Sequence, residues 1–154
     1  MKRAIVCLAI GVAACAPPPE TPQLPTPDPV AFSKTIYPIL LSDCAFAGCH
    51  GDPLRFFRVH GPGRTRLASD TPPYAPATPD ELALSYTRAA SMLVSEEGIR
   101  RSPLLRKPLA VTAGGAGHEG DDPWGNAVYF GKKAPNWEAL FFWALTAEVQ
   151  GGAP

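Results

Sequence analysis

The stretch CAFAGCHG, residues 44–51, places two thiols and an imidazole within a few positions of one another. Cys44 and Cys49 are separated by four residues, and His50 follows the second thiol directly. Three chemistries use such a set. Two thiols with an adjacent imidazole can carry a porphyrin through thioether bonds, the imidazole lying beneath its iron; the usual spacing puts two residues between the cysteines. The same thiols can close a small disulfide loop. They can also supply part of a tetrahedral zinc site, completed by two of His50, His60 and His118.

The chain opens MKRAIVCLAIGVAACA: two cations, an apolar run over residues 4–14, then small residues leading to Cys15. This pattern reads as an export signal, and its apolar run is far short of the ~20 residues a membrane-spanning helix needs. Val12-Ala13-Ala14-Cys15 resembles the lipobox of bacterial lipoproteins, which implies cleavage after residue 14 and a lipid on Cys15. Ordinary signal cleavage near Ala14 or Ala16 is the alternative. With Cys7 removed and Cys15 lipidated, Cys44 and Cys49 are the two thiols left for the folded part. Export places them in an oxidising compartment, where two neighbouring thiols are expected to be occupied.

Residues 17–29, PPPETPQLPTPDP, hold seven prolines in thirteen positions. Such a segment favours polyproline II and cannot build a core, so residues 15–29 read as a tether, whose proline-rich residues 17–29 reach about 40 Å at ~3.1 Å per residue. Residues 30–154 then form one domain, a size that supports a single core. The 14 basic and 14 acidic residues balance over the whole chain, and the cations occur singly or in pairs such as Arg100-Arg101 and Lys132-Lys133. No basic stripe suited to neutralising phosphates is present, which argues against nucleic-acid binding.

Asp28-Pro29 is an N-cap followed by a proline at the first helical position, and Phe32, Ile36, Ile39 and Leu40 form an apolar stripe behind it. Pro38 predicts a kink, or an end and restart, within that helix. Residues 51–78 read as a long wrapping loop. Thr78-Pro79-Asp80-Glu81 combines an N1 proline with a capping box and predicts a helix over about 79–96, stopping at Gly98, with Leu82, Tyr86, Ala89, Ala90 and Leu93 buried. Asn136 is placed to cap a last helix, on which Trp137, Leu140, Phe141, Ala144 and Leu145 share a face, broadened by Phe142 and Trp143. The expected class is all-α: about three main helices joined by long Pro/Gly-rich loops.

Residues 32–50, with the pattern F-x3-I-x-P-I-L-x3-C-x4-C-H, resemble exported c-type cytochrome domains of a class I kind. Ser102, Leu104, Leu105, Lys107 and Pro108, the run Gly114-Gly115-x-Gly117-His118 and the aromatic last helix resemble the second half of monohaem cytochrome-like domains of bacterial lipoproteins. The resemblance spans about residues 32–146. It implies a small cytochrome c-like bundle around one covalent haem c, with Cys44 and Cys49 as thioether positions and His50 as proximal iron ligand. The four-residue gap departs from the usual spacing, and Gly48 is expected to supply the backbone freedom that the longer loop needs.

The resemblance also implies a sixth ligand, Met or His, far downstream. His118, behind the flexible GGAG, is ranked first; His60 and Met92 are the other choices, and an open site is a further one. Phe56, Phe57, Tyr86, Trp137, Phe141 and Trp143 are candidates to line the pocket or to fill an ordinary core. Glu119, Asp121 and Asp122 lack the ligand periodicity of a calcium loop. No catalytic constellation can be assembled from three histidines and scattered acids, so an electron carrier is expected rather than an enzyme. The expected setting is the bacterial periplasm or outer membrane, with a lipid anchor and envelope redox proteins as partners. The competing expectation is a non-redox envelope lipoprotein whose Cys44–Cys49 disulfide stabilises a binding or structural module.

Overall fold

A computed structural model describes residues 24–117 and 127–151, with side chains to residue 148. Helices are the regular elements among these residues, joined by one isolated parallel bridge between Leu109 and Tyr129, so the all-α expectation holds. The first helical stretch, α1, covers residues 29–43. It is α-helical over Pro29–Ala31, π-helical over Phe32–Ile36 and α-helical again over Tyr37–Asp43. Asp28 caps it, its carboxylate accepting from the amides of Val30 and Ala31. The disturbance expected from Pro38 appears one turn upstream. Pro38 has no amide to donate and its ring crowds the carbonyl four residues back; a wide turn, with the Tyr37 amide donating to the Phe32 carbonyl, accommodates both.

Helix α2 runs over Pro79–Ser91 and begins in a complete capping box between Thr78 and Glu81. It ends several residues before the expected Gly98 stop. Leu93 turns into the core, and the Met92 carbonyl accepts the Leu104 amide, docking the short helix α3 (Pro103–Arg106). Tertiary burial at Leu93 thus overrides the helical pattern that continues in the sequence. Helix α4, Pro135–Gly151, packs against α1 and α3. Asn136 lies inside it rather than capping it, and its amide donates to the Asp43 carboxylate at 2.8 Å. Phe142, expected to widen the covered face, is 64% exposed.

The core is where α1, α2 and α4 meet. The Phe32 ring packs 5.3 Å from Tyr86 and 5.4 Å from Trp143, one aromatic from each helix. The Trp143 indole donates to the Asp28 carbonyl, and the Tyr86 hydroxyl donates to the carbonyl of Pro27, which is fully buried. Pro27 and Asp28, within the expected tether of residues 15–29, therefore pack with the helices.

Residues 51–78 have no regular structure but are pinned by a buried ion pair. Arg66 Nε and Nη2 donate to the Glu81 carboxylate at 2.9 and 2.8 Å, while Nη1 donates to the carbonyls of Pro72 and Ala75. Glu81 also accepts the amides of Leu67 and Thr78. Burial alone would raise its pKa; the hydrogen bonds from Arg66, Thr78 and Leu67, with the Arg66 charge, outweigh burial and hold it at about 2.

Candidate haem site

The CAFAGCHG segment continues from the end of α1. Cys44 is the residue that closes the helix, its amide donating to Leu40. The four intervening residues fold into a turn in which the Cys49 and Gly51 amides both donate to the Phe46 carbonyl, at 2.8 and 2.9 Å. The His50 amide then returns to the Cys44 carbonyl at 2.9 Å, closing the loop across its base. The extra length is spent on an outward bulge whose Phe46 ring is covered by the Arg64 guanidinium, 4.3 Å from the ring centroid. Gly48, expected to provide the freedom for this bulge, sits in open space without a positive φ. The glycine the turn requires is Gly51, where a Cβ would lie 2.6 Å from the Ala45 carbonyl oxygen.

The His50 imidazole is held in a defined orientation. Its Nδ1 donates to the Phe57 carbonyl at 2.7 Å, and the Phe57 ring packs edge-on at 4.7 Å. A proton on Nδ1 puts the lone pair on Nε2, the arrangement found when a backbone carbonyl orients a metal-binding histidine. The Val59 amide donates to the His50 carbonyl, so the wrapping loop braces both ends of the residue. Burial pushes the Cys44 thiol up to about 12, with Asp43 and Cys49 adding to the effect.

Cys44, Cys49 and His50 share one largely apolar cavity of about 290 Å³. Leu40 of α1, Leu104 of α3 and Leu140 of α4 contribute further walls, and Met92 at the end of α2 enters the same space. Among the described residues no three His, Cys, Asp or Glu side chains are grouped to hold a metal ion. A haem has a different requirement: its iron brings four nitrogens of its own and takes at most two donors from the protein. The thiols, the oriented imidazole and the Met92 thioether in one apolar cavity suit that requirement. Neither Cys44 nor Cys49 is in a disulfide.

The second-ligand choices separate. His60 is buried away from the cavity, with Arg88 Nη1 3.3 Å from its Nε2, and burial followed by the Arg88 charge lowers its pKa. Met92 faces the cavity. His118, together with Glu119, Asp121 and Asp122, lies outside the described residues. Of the aromatic candidates, Phe56 and Phe57 line the cavity. Tyr86 and Trp143 belong to the interhelical core, while Trp137 and Phe141 stack on each other at 5.2 Å beside a separate cleft. Sequence reasoning missed Asp43, which lines the cavity and accepts from the Tyr129 hydroxyl and Asn136, both at 2.8 Å. Its position directly before Cys44 was the one available signal.

Comparisons with protein-family models, with curated proteins and with solved structures each found no match. Among the described residues, no helix is long and apolar enough to cross a membrane.

Proposed function

We propose that the chain is a lipid-anchored, single-haem c-type cytochrome-like electron carrier of the bacterial envelope. The observation that supports this reading most is the convergence of both thiols, the carbonyl-oriented His50 and Met92 on one apolar cavity. Cys44 and Cys49 would hold the group through thioether bonds, His50 Nε2 would ligate its iron, and Met92 would supply a second donor. His118 is the competing donor for that position. The haem would contribute a one-electron Fe(III)/Fe(II) couple, and a thioether donor would give it a higher potential than a second histidine would.

The chain's own residues orient and insulate. Phe57 fixes the imidazole, while Leu40, Leu104 and Leu140 exclude water. Arg55 and Lys107, exposed cations that line the cavity, would pair with the carboxylates of a bound porphyrin. The signal segment, a lipid on Cys15 and the proline-rich tether complete the proposal and would let the domain meet redox proteins of the envelope.

The test is an alkaline pyridine spectrum of the denatured, reduced protein after export, with an intact mass. A covalent haem retained after denaturation, and lost in Cys44→Ala/Cys49→Ala, supports the reading. A haem-free chain with a Cys44–Cys49 disulfide would overturn it in favour of a non-redox binding module.

A further inference from the structure

On the other side of α3 from the cavity lies a cleft of about 470 Å³: Leu104 lines the cavity and Leu105 the cleft. Its apolar part is formed by Leu105, Leu109 and Trp137, all buried, with Phe141 stacked on Trp137 at an interplanar angle of 14°. Its remaining lining is mostly cationic. Arg100, Arg101, Arg106, Lys132 and Lys133 contribute to it, against one carboxylate, Glu138. Three of these cations already have partners: Arg100 pairs with Glu148, and both Arg101 and Arg106 reach Glu97. Lys132 and Lys133 are exposed and make no ion pair among the described residues. Phe142 stands at the cleft, 64% exposed and 5.7 Å from Phe141.

We propose that this cleft is a docking site for an acidic protein segment that carries an apolar side chain. The occupant follows from two observations. Among the described residues, positive charge exceeds negative charge around the cleft even after Glu97 and Glu148 are counted, so the complementary surface bears carboxylates, to which arginine forks and lysines both donate. The apolar part is concave and aromatic, suited to one inserted anchor inside a charged rim, the layout of protein-binding hot spots. A flat bilayer would meet the rim and leave the buried Leu105, Leu109 and Trp137 untouched. The site does not depend on the haem reading, because α3 and α4 turn different residues to the two sides and the cleft and the cavity share no lining residue.

The test uses the full chain, labelled for NMR and titrated with a short peptide in which one leucine is flanked by glutamates. Saturable shifts at the Trp137 indole and at Leu105 and Lys132, weakened by salt, are expected. Lys132→Glu with Lys133→Glu should weaken binding about tenfold or more without altering the fold, since both side chains are exposed. Equal binding of a glutamine version of the peptide would overturn the charge assignment, and a glutamate peptide without leucine binding equally well would overturn the anchor. Shifts confined to cavity residues, or binding to anionic phosphatidylglycerol vesicles with none to the peptide, would overturn the proposal as a whole.

Discussion

Replacing Glu81 by glutamine should remove about 3–4 kcal/mol of stability at neutral pH. The side chain is fully buried, and its pKa is held at about 2 against an ordinary value of 4.5. Two and a half decades of proton affinity, at about 1.4 kcal/mol each, give that figure. It agrees with the ~3–5 kcal/mol typical of breaking a buried ion pair by removing one member. Glutamine leaves the Arg66 guanidinium buried against the carbonyls of Pro72, Ala75 and Pro76 with no counter-charge. Because the folded pKa is depressed, the stabilisation is complete above the unfolded value and is lost as pH falls from about 4.5 towards about 2. Urea unfolding at pH 7 should therefore show a much lower midpoint for Glu81→Gln. At pH 2 the two proteins should converge. A variant within about 0.5 kcal/mol of the parent at pH 7, or one with the parent's full acid sensitivity between pH 4.5 and 2, would refute the reasoning.

Further outcomes follow from other contacts. Thr78→Ala removes the other half of the capping box and should cost about 1 kcal/mol in the same unfolding experiment; its effect should be non-additive with Glu81→Gln because the two residues share hydrogen bonds. Gly51→Ala drives a Cβ against the backbone oxygen of Ala45 and should cost about 1–3 kcal/mol, whereas Gly48→Ala, in open space, should change the urea midpoint little. In haem-loaded protein, Met92→Ala should shift the ferric spectrum towards high spin and lower the midpoint potential, while His118→Ala should leave both unchanged; the reverse pattern would reassign the second ligand to His118. Phe32→Ala should cost about 3–5 kcal/mol by calorimetry, since its ring joins α1, α2 and α4.

Parts of this architecture were legible because they are local. Asp28-Pro29 and the Thr78-Pro79-Asp80-Glu81 box specify helix starts through hydrogen bonds spanning three residues, and both form as the sequence implies. Interactions made at distance were not legible. Glu81 reads as a capping residue, and nothing adjacent reveals that Arg66, fifteen positions earlier, turns it into the clasp of a long loop. Met92 falls within the helix that the pattern predicts over about 79–96; the chain turns there instead, with Leu93 buried in the core. Asn136 has the composition of a cap yet serves Asp43, ninety-three residues away in the chain. Nor does an apolar stripe say which aromatic meets solvent, as Phe142 shows. The grouping of Cys44, Cys49 and His50 was legible because the segment is contiguous; the other walls of the cavity come from parts of the chain as far apart as Phe57, Met92, Leu104 and Leu140.

The wide turn over Phe32–Ile36 acts on the angular phase of everything after it. In an uninterrupted α-helix, advancing about 100° per residue, Cys44 would emerge about 120° around the axis from Phe32. Absorbing one extra residue in a π turn cancels most of that rotation, leaving about 20° between the two. Phe32 and Cys44 are accordingly both buried on the inward side. The irregularity that Pro38 favours is thus a timing device, setting which way the first thiol points before the cysteine loop begins. Deleting one residue from this turn, at exposed Lys34, would rotate the anchoring face relative to the thiol, or expel one of them from the core.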